Sequence, residues 1–265
     1  MPTGPDRPNA CNAGISVAWG DRVQIPGAAS RRVVRNFPMG WNDVHLRFLF
    51  RVGLLLGSSA VSAATIEGQV TLTLDGKPLR AEEAAEAVVY FRPAVPVPVA
   101  AAKKPVEMIT LRKQFSPRIL PVTVGTEVRF PNQDPILHNA FSTSKDNGFD
   151  IGLYGQGEGK AQRFDHAGYV RVYCNVHHSM VGHILVLDTP FFARPDAQGR
   201  FRLKDLPAGK GDLVVWLDRA TPWHVQLVAG KTEPLAVTLE LAQKKIPPHM
   251  NKFGKPYGRS SDGGY

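Results

Sequence analysis

From residue 65 onward apolar side chains alternate with polar ones. Within 65–74, Ile66, Val70 and Leu72 fall on alternate positions, the period that puts side chains on one face of an extended strand. Asp75-Gly76-Lys77 then supplies a turn, and a second apolar run covers 87–91. Residues 93–105 (PAVPVPVAAAKKP) have no amphipathic period and read as a linker or an extended edge.

Further strand-like runs follow at 108–111, 119–124, 127–130, 139–142, 149–154, 161–164, 169–173 and 182–187. Turn signals separate them at Val124-Gly125, Pro131-Asn132, Asp146-Asn147-Gly148 and Ala167-Gly168. That rhythm of short strands predicts a β-sandwich of about eighty residues. Beyond Asp188 the runs at 199–203, 212–217 and 234–241 predict a second, smaller β-module. The strands before the proline-rich stretch are free to complete that module's sheet, which would make the central sandwich an insertion.

The resulting organisation is an N-terminal extension (1–38), a signal peptide (39–63) and a β unit with linker (64–105). The central domain (106–188), the second module (189–243) and a basic tail (244–265) that reads as mobile complete it. The signal assignment rests on a basic stretch at 41–51, an uncharged apolar run at 52–61 and the small-residue pattern Val61-Ser62-Ala63, with cleavage expected after Ala63. The apolar run is short for a permanent anchor, so no stable membrane span is expected after cleavage. The expected location is periplasmic or secreted.

Composition narrows the function. Gly (25) and Pro (22) punctuate a chain that is 43% hydrophobic, which suits an all-β globular protein. The net charge is +9, but seven of the 32 basic residues and three of the 23 acidic ones lie within 1–63, so the remainder is only mildly basic. No basic run interleaves with aromatics on a nucleic-acid-binding motif, and a solvated positive surface is the plainer reading.

The two cysteines are Cys11 and Cys174. Removal of the leader leaves Cys174 as a lone thiol with no partner for a disulfide, a liability in an oxidising compartment unless a metal occupies it. Cys174-Asn175-Val176-His177-His178-Ser179-Met180 places a thiolate, an imidazole and a thioether at C-x2-H-x2-M. Soft sulfur donors with imidazole suit copper in both oxidation states, whereas zinc rarely uses a thioether and calcium or magnesium takes oxygen. A second imidazole stands upstream at His138, where a strand ends in the polar turn 131–137 and restarts.

Each residue also has a bland reading. A single Cys is ordinarily a small buried hydrophobe, and Met180 could be core. A Cys/His nucleophile is the sharper rival, but Cys174 sits at a strand end without the helix N-terminus that usually activates a thiolate. His178 and His183 read as exposed or structural. His166, His224 and His249 have no metal-like partners at sequence spacing. Trp216 and Trp223 read as core and rim of the second module.

Val128-Arg129-Phe130-Pro131-Asn132-Gln133-Asp134, followed by His138-Asn139 and by Tyr173-Cys174-x-x-His177-x-x-Met180-x-Gly182, resembles the plastocyanin-like cupredoxins. The short ligand loop is similar to that of amicyanin, although His178 and Ser179 replace a more apolar pair. Residues 187–193, with Gly199-Arg200-Phe201 and Leu206-Pro207-Ala208-Gly209, resemble the bacterial methylamine utilization protein-like family, which adds a carboxypeptidase-regulatory-like β-sandwich. The resemblance implies an all-β fold: a cupredoxin-like Greek-key β-sandwich plus a smaller Ig/transthyretin-like module. It implies one type 1 copper ion with His138, Cys174 and His177 as equatorial ligands and Met180 as the axial one. Asn139 would tie the two ligand-bearing segments together.

The function implied is single-electron transfer, with an acidic redox partner such as a cytochrome or dehydrogenase, and no enzymatic activity, because the protein fills the coordination sphere. Copper delivery or buffering is the alternative from the class of binding proteins. An envelope-docking role for the outer module, with copper merely structural, is a third.

Overall fold

The computed structural model describes residues 63–242 and 250–256. Residues 1–62, which hold the expected N-terminal extension and all but the last residue of the expected signal peptide, lie outside the described residues, as do 243–249 and 257–265 of the tail. Everything below belongs to the unit Gly57–Tyr265.

Backbone pairing gives, in chain order, β1 (Ala64–Leu74), β2 (Lys77–Pro78), β3 (Val88–Pro93), β4 (Val106–Glu107), β5 (Ile109–Leu111) and β6 (Gln114–Ser116). There follow β7 (Ile119–Thr123), β8 (Thr126–Asn132), β9 (His138–Ser142), β10 (Phe149–Tyr154), β11 (Gly157–Phe164), β12 (Gly168–Tyr173) and β13 (Val181–Leu187). The last are β14 (Phe192–Ala193), β15 (Arg200–Leu206), β16 (Gly209–Trp216), β17 (Trp223–Ala229) and β18 (Leu235–Leu241). A 3-10 helix at Ala81–Glu86 is the helical element among the described residues, and no helix there is long and apolar enough to cross a membrane. The fold class is all-β, as expected.

Two sheets form the central sandwich, one ordered β10-β9-β12-β13-β7 and the other β11-β8-β5-β6 with β4 paired to β8. Their inner faces meet in a core that includes Met108, Phe130, Phe164, Val172 and Ile184. Phe130 stacks on Phe149 at 5.7 Å, and Phe149 meets Phe164 edge-on at 5.6 Å, so an aromatic ladder links the two sheets. β7 pairs parallel to β13, and β12 pairs antiparallel to both β13 and β9, the crossed order of a Greek key.

The flanking segments fold together. β1 lies between β15 and β18, antiparallel to the first and parallel to the second, while β3 lies between β14 and β16. Segments 64–93 and 189–241 thus build one sandwich, and the central sandwich is inserted into it. The alternating Ile66, Val70 and Leu72 of β1 supply that sandwich's core, together with Val88–Phe91 of β3 and Leu213–Trp216 of β16. The turn from β1 to β2 uses Asp75 and Gly76 at φ 51° and 72°, the two positive values a two-residue type I′ hairpin needs.

β13 is the wall between the modules. Ile184 and Val186 point into the central core, whereas Leu185 and Leu187, with Ile119 of β7, join the flanking core. Burial on both faces explains the unbroken apolar run Ile184–Leu187 of β13. A polar cluster seals the same junction: Arg118 lies between Glu86 and Asp218, with Nη1 donating to Asp218 Oδ2 at 2.8 Å and Nε to Glu86 Oε1 at 3.2 Å. Nε2 of His183 lies 3.2 Å from the same Asp218 oxygen but outside hydrogen-bond geometry, and its Nδ1 is 2.6 Å from the Tyr169 hydroxyl. Burial pushes the Asp218 carboxyl up, but His183 and Arg118 outweigh it and hold the carboxyl well below the usual range.

The stretches 114–116, 192–193 and 223–229, not read as strands, are β6, β14 and β17, the last pairing along β16. Within the tail, at 250–256, Asn251 caps a turn by accepting from the N–H groups of Phe253 and Lys255 at 2.9 and 3.1 Å, and Lys252 joins that turn to the central sandwich.

Candidate metal centre

β12 ends at Tyr173, and the segment 174–180 links it to β13. The segment closes on itself, with Met180 N donating to His177 O at 3.0 Å and Cys174 N to Met180 O at 3.4 Å. Cys174 and Met180 are thereby held at its base, where both side chains join the central core. The antiparallel register of β12 and β9, fixed by Tyr173 opposite Phe141, runs this segment toward the start of β9, which is His138.

The fold brings together the side chains of His138, Cys174 and His177, whose ligand atoms all lie within 4.8 Å of one another. Cys174 Sγ is 3.9 Å from His138 Nδ1 and 3.8 Å from His177 Nδ1, and the two imidazole centroids are 4.7 Å apart. His138 and Cys174 are fully buried, and His177 is half-buried. Met180 is also buried, in the same core cluster as Cys174. This is the one such group of His, Cys and acidic side chains among the described residues.

Asp134 fixes the His138 ring. Its Oδ2 is 2.9 Å from Nε2, and an ionised carboxylate can only accept, so Nε2 carries the hydrogen and Nδ1 turns its lone pair toward Cys174. The same carboxylate accepts from the backbone N–H groups of Arg112 at 2.6 Å and Lys113 at 2.9 Å. Those residues form the tip of the β5–β6 hairpin at φ 52° and 56°, left-handed conformations that cost non-glycine residues about 1–3 kcal/mol each. Burial pushes the Asp134 carboxyl up, but the N–H groups of Lys113 and Arg112 and the His138 ring hold it below its usual range. Burial pulls the His138 imidazole down, which favours the neutral form a metal needs. Asn132, also buried, shapes the loop by accepting from Asp134 N at 2.9 Å and donating to Ile136 O at 2.8 Å.

Asn139 sits between the ligand-bearing segments. Its Oδ1 accepts from the backbone N–H of Asn175, the residue after Cys174, at 3.3 Å. Its Nδ2 donates to Asp150 Oδ1 at 2.8 Å and to Gly152 O at 3.0 Å.

The residues present fit one metal ion. Metal–nitrogen and metal–sulfur bonds of about 2.0–2.3 Å, opened to a trigonal angle, span the 3.8 and 3.9 Å separations between sulfur and nitrogen. Two imidazoles and a thiolate in a plane, with a thioether available, are the donors of a blue-copper arrangement. Sequence reasoning missed Asp134 as the partner of His138, although an acidic side chain four residues before the ligand is a readable signal. Of the remaining histidines, His183 lies at the module junction, His166 and His224 are exposed, and His249 lies outside the described residues. Leu137, Leu153 and Val176 are exposed at this end of the sandwich, flanking the ligand-bearing segments in sequence or register.

No family model matches the chain, and no curated protein matches it either. Among solved structures it is similar to a novel purple cupredoxin from Nitrosopumilus maritimus, at 24% identity and a TM-score of 0.29, over 31% of this chain and 99% of that one. It is likewise similar to a reduced amicyanin variant, at 19% identity and a TM-score of 0.31, over 37% of this chain and 99% of that one. A Cu(I) form of another amicyanin variant gives 19% identity and a TM-score of 0.30 over the same shares.

Proposed function

We propose that this chain holds one type 1 copper ion between His138, Cys174, His177 and Met180 and carries single electrons in the bacterial periplasm. The observation that carries the reading is the convergence of three donor atoms within 4.8 Å from segments 36 residues apart. Copper bound there would supply a one-electron couple between Cu(I) and Cu(II).

The protein's part is to hold the donors still and keep water out. His138 is locked by Asp134, Cys174 and Met180 are packed in the core, and Asn139 ties the two backbones. A donor set preassembled in this way needs little rearrangement when the charge of the ion changes, which favours fast outer-sphere exchange. It also favours retention over release, so electron transfer is preferred to copper delivery. The four donors leave no coordination position for a substrate, which is the reading of a carrier rather than an enzyme.

The half-buried His177 ring is the nearest ligand to solvent, and the exposed Leu137, Leu153 and Val176 give a surface for a redox partner. The chain's positive charge favours an acidic partner, with association weakening as salt rises. The signal segment at 39–63 is the basis of the periplasmic assignment.

The test is to add Cu(II) to the purified chain and record the visible spectrum. An intense thiolate-to-copper absorption that disappears in Cys174→Ala supports the reading. A colourless protein that retains only zinc overturns it.

A further inference from the structure

The turn at 250–256 of the C-terminal tail touches the candidate metal end of the inserted sandwich at two points, both through Lys252. Its backbone N–H donates to Asn175 Oδ1 at 3.1 Å, and its Nζ pairs with Asp150 Oδ2 at 2.7 Å. Asp150 Oδ1 in turn accepts from Asn139 Nδ2 at 2.8 Å, and Asn139 Oδ1 accepts from Asn175 N at 3.3 Å. Lys252, Asp150, Asn139 and Asn175 therefore form a closed ring of polar contacts.

Two members of that ring are the residues that immediately follow ligands, Asn139 after His138 and Asn175 after Cys174. The strands carrying those ligands meet in register only at Tyr173 and Phe141, so backbone pairing alone holds this end weakly. Asp150 is held below the usual carboxylate range, where burial is outweighed by Lys252, by the Gly152 N–H and by Asn139, so the ring is built around a charged carboxylate.

We infer that the turn at 250–256 is a clamp on the metal centre, with Lys252 a positioning residue that fixes the spacing between the His138 and Cys174 backbones. Lys252 acts through Asn139, Asp150 and Asn175 and touches no ligand-bearing atom itself. The inference rests on the copper reading for its role in metal retention, but the clamp's effect on Cys174 does not require metal. Cys174 is fully buried, and a reagent reaches its sulfur only when this end of the sandwich opens.

The experiment uses the full chain with Lys252→Met, Lys252→Arg and, as an independent break of the same turn, Asn251→Ala. The first readout is the rate at which a thiol reagent labels Cys174 in metal-free protein, followed on the Cys174 peptide by mass spectrometry so that Cys11 does not contribute. Lys252→Met is expected to label about threefold faster than wild type, the factor set by losing one partly exposed charged contact, Asn251→Ala to label faster than wild type as well, and Lys252→Arg to stay near wild type. The second readout is the rate at which a Cu(I) chelator strips the reduced copper form, with the same order expected and an altered thiolate-to-copper band in Lys252→Met. Equal labelling rates in all four proteins overturn the clamp. A wild-type chain that takes up no copper but shows the expected labelling order overturns the copper reading and leaves the clamp standing.

Discussion

Asp134 accepts a hydrogen bond from Nε2 of His138 at 2.9 Å while its two oxygens also receive the N–H groups of Arg112 and Lys113. One carboxylate thus joins the ring of a candidate ligand on β9 to the tip of a hairpin on the facing sheet. Carboxylates of this kind make a ligating imidazole more basic and fix which nitrogen faces the metal.

Asp134→Ala is expected to weaken copper binding by about 10–100-fold, the usual effect of deleting such a partner. Competition titration against a chelator of known affinity measures it. Affinity within about twofold of wild type would show that the carboxylate serves only the hairpin.

Asn139→Ala leaves the Asn175 N–H without its acceptor and removes both donor bonds to the β10 segment. The expected cost is about 1–3 kcal/mol of metal-free stability, read as a lower urea midpoint at unchanged m-value. An unchanged midpoint would mean that water replaces the side chain without loss.

Gly182→Ala tests the packing under the ligand loop. A Cβ at that position would stand 3.0 Å from the Phe115 Cβ and 3.1 Å from the Met108 sulfur, both buried. Overpacking of this kind costs about 1–3 kcal/mol, and thermal unfolding should show a lower midpoint. The Met108 thioether is the more adaptable neighbour, so Met108→Ala combined with Gly182→Ala should recover part of the crowding loss relative to Met108→Ala alone.

The module junction predicts acid sensitivity. Asp218 is held below the ordinary carboxylate range when folded and returns to about 3.9 when unfolded. The unfolded state therefore binds the extra proton first, so its stabilising contribution is complete above the unfolded value and is lost as pH falls toward the depressed folded one. Urea unfolding at stepped pH should show the gap between wild type and Asp218→Asn narrowing as pH drops below about 4. Asp218→Ala at neutral pH leaves Arg118 with Glu86 alone and should cost about 1–3 kcal/mol.

Local chemistry made part of the candidate metal centre legible. Cys174, His177 and Met180 lie within one short loop whose spacing and donor types point to a metal, and the resemblance to cupredoxins singled out the imidazole at His138, where a strand restarts. Most strands were legible for a similar reason, since Ile66, Val70 and Leu72 alternate and 184–187 is continuously apolar. Residues 223–229 alternate too, with Trp223, Val225 and Leu227 against His224 and Gln226, and that signal went unread. Other features have no local signature. The parallel pairing of β1 with β18 joins residues such as Val70 and Val237, and neither end of the chain carries a mark of the other. The salt link from Lys252 to Asp150 is equally remote, spanning 102 positions, so a basic residue in a polar tail looked like any solvated charge.

The insertion also bears on how the protein meets proteases. The exposed proline- and alanine-rich stretch between β3 and β4 is an inviting site for cleavage, yet a single nick there severs only one of two covalent crossings. β13 still runs on into the flanking module, and β1 and β3 stay bonded to strands on the far side of the cut. Nicked material should migrate as two fragments after denaturation but as one particle beforehand.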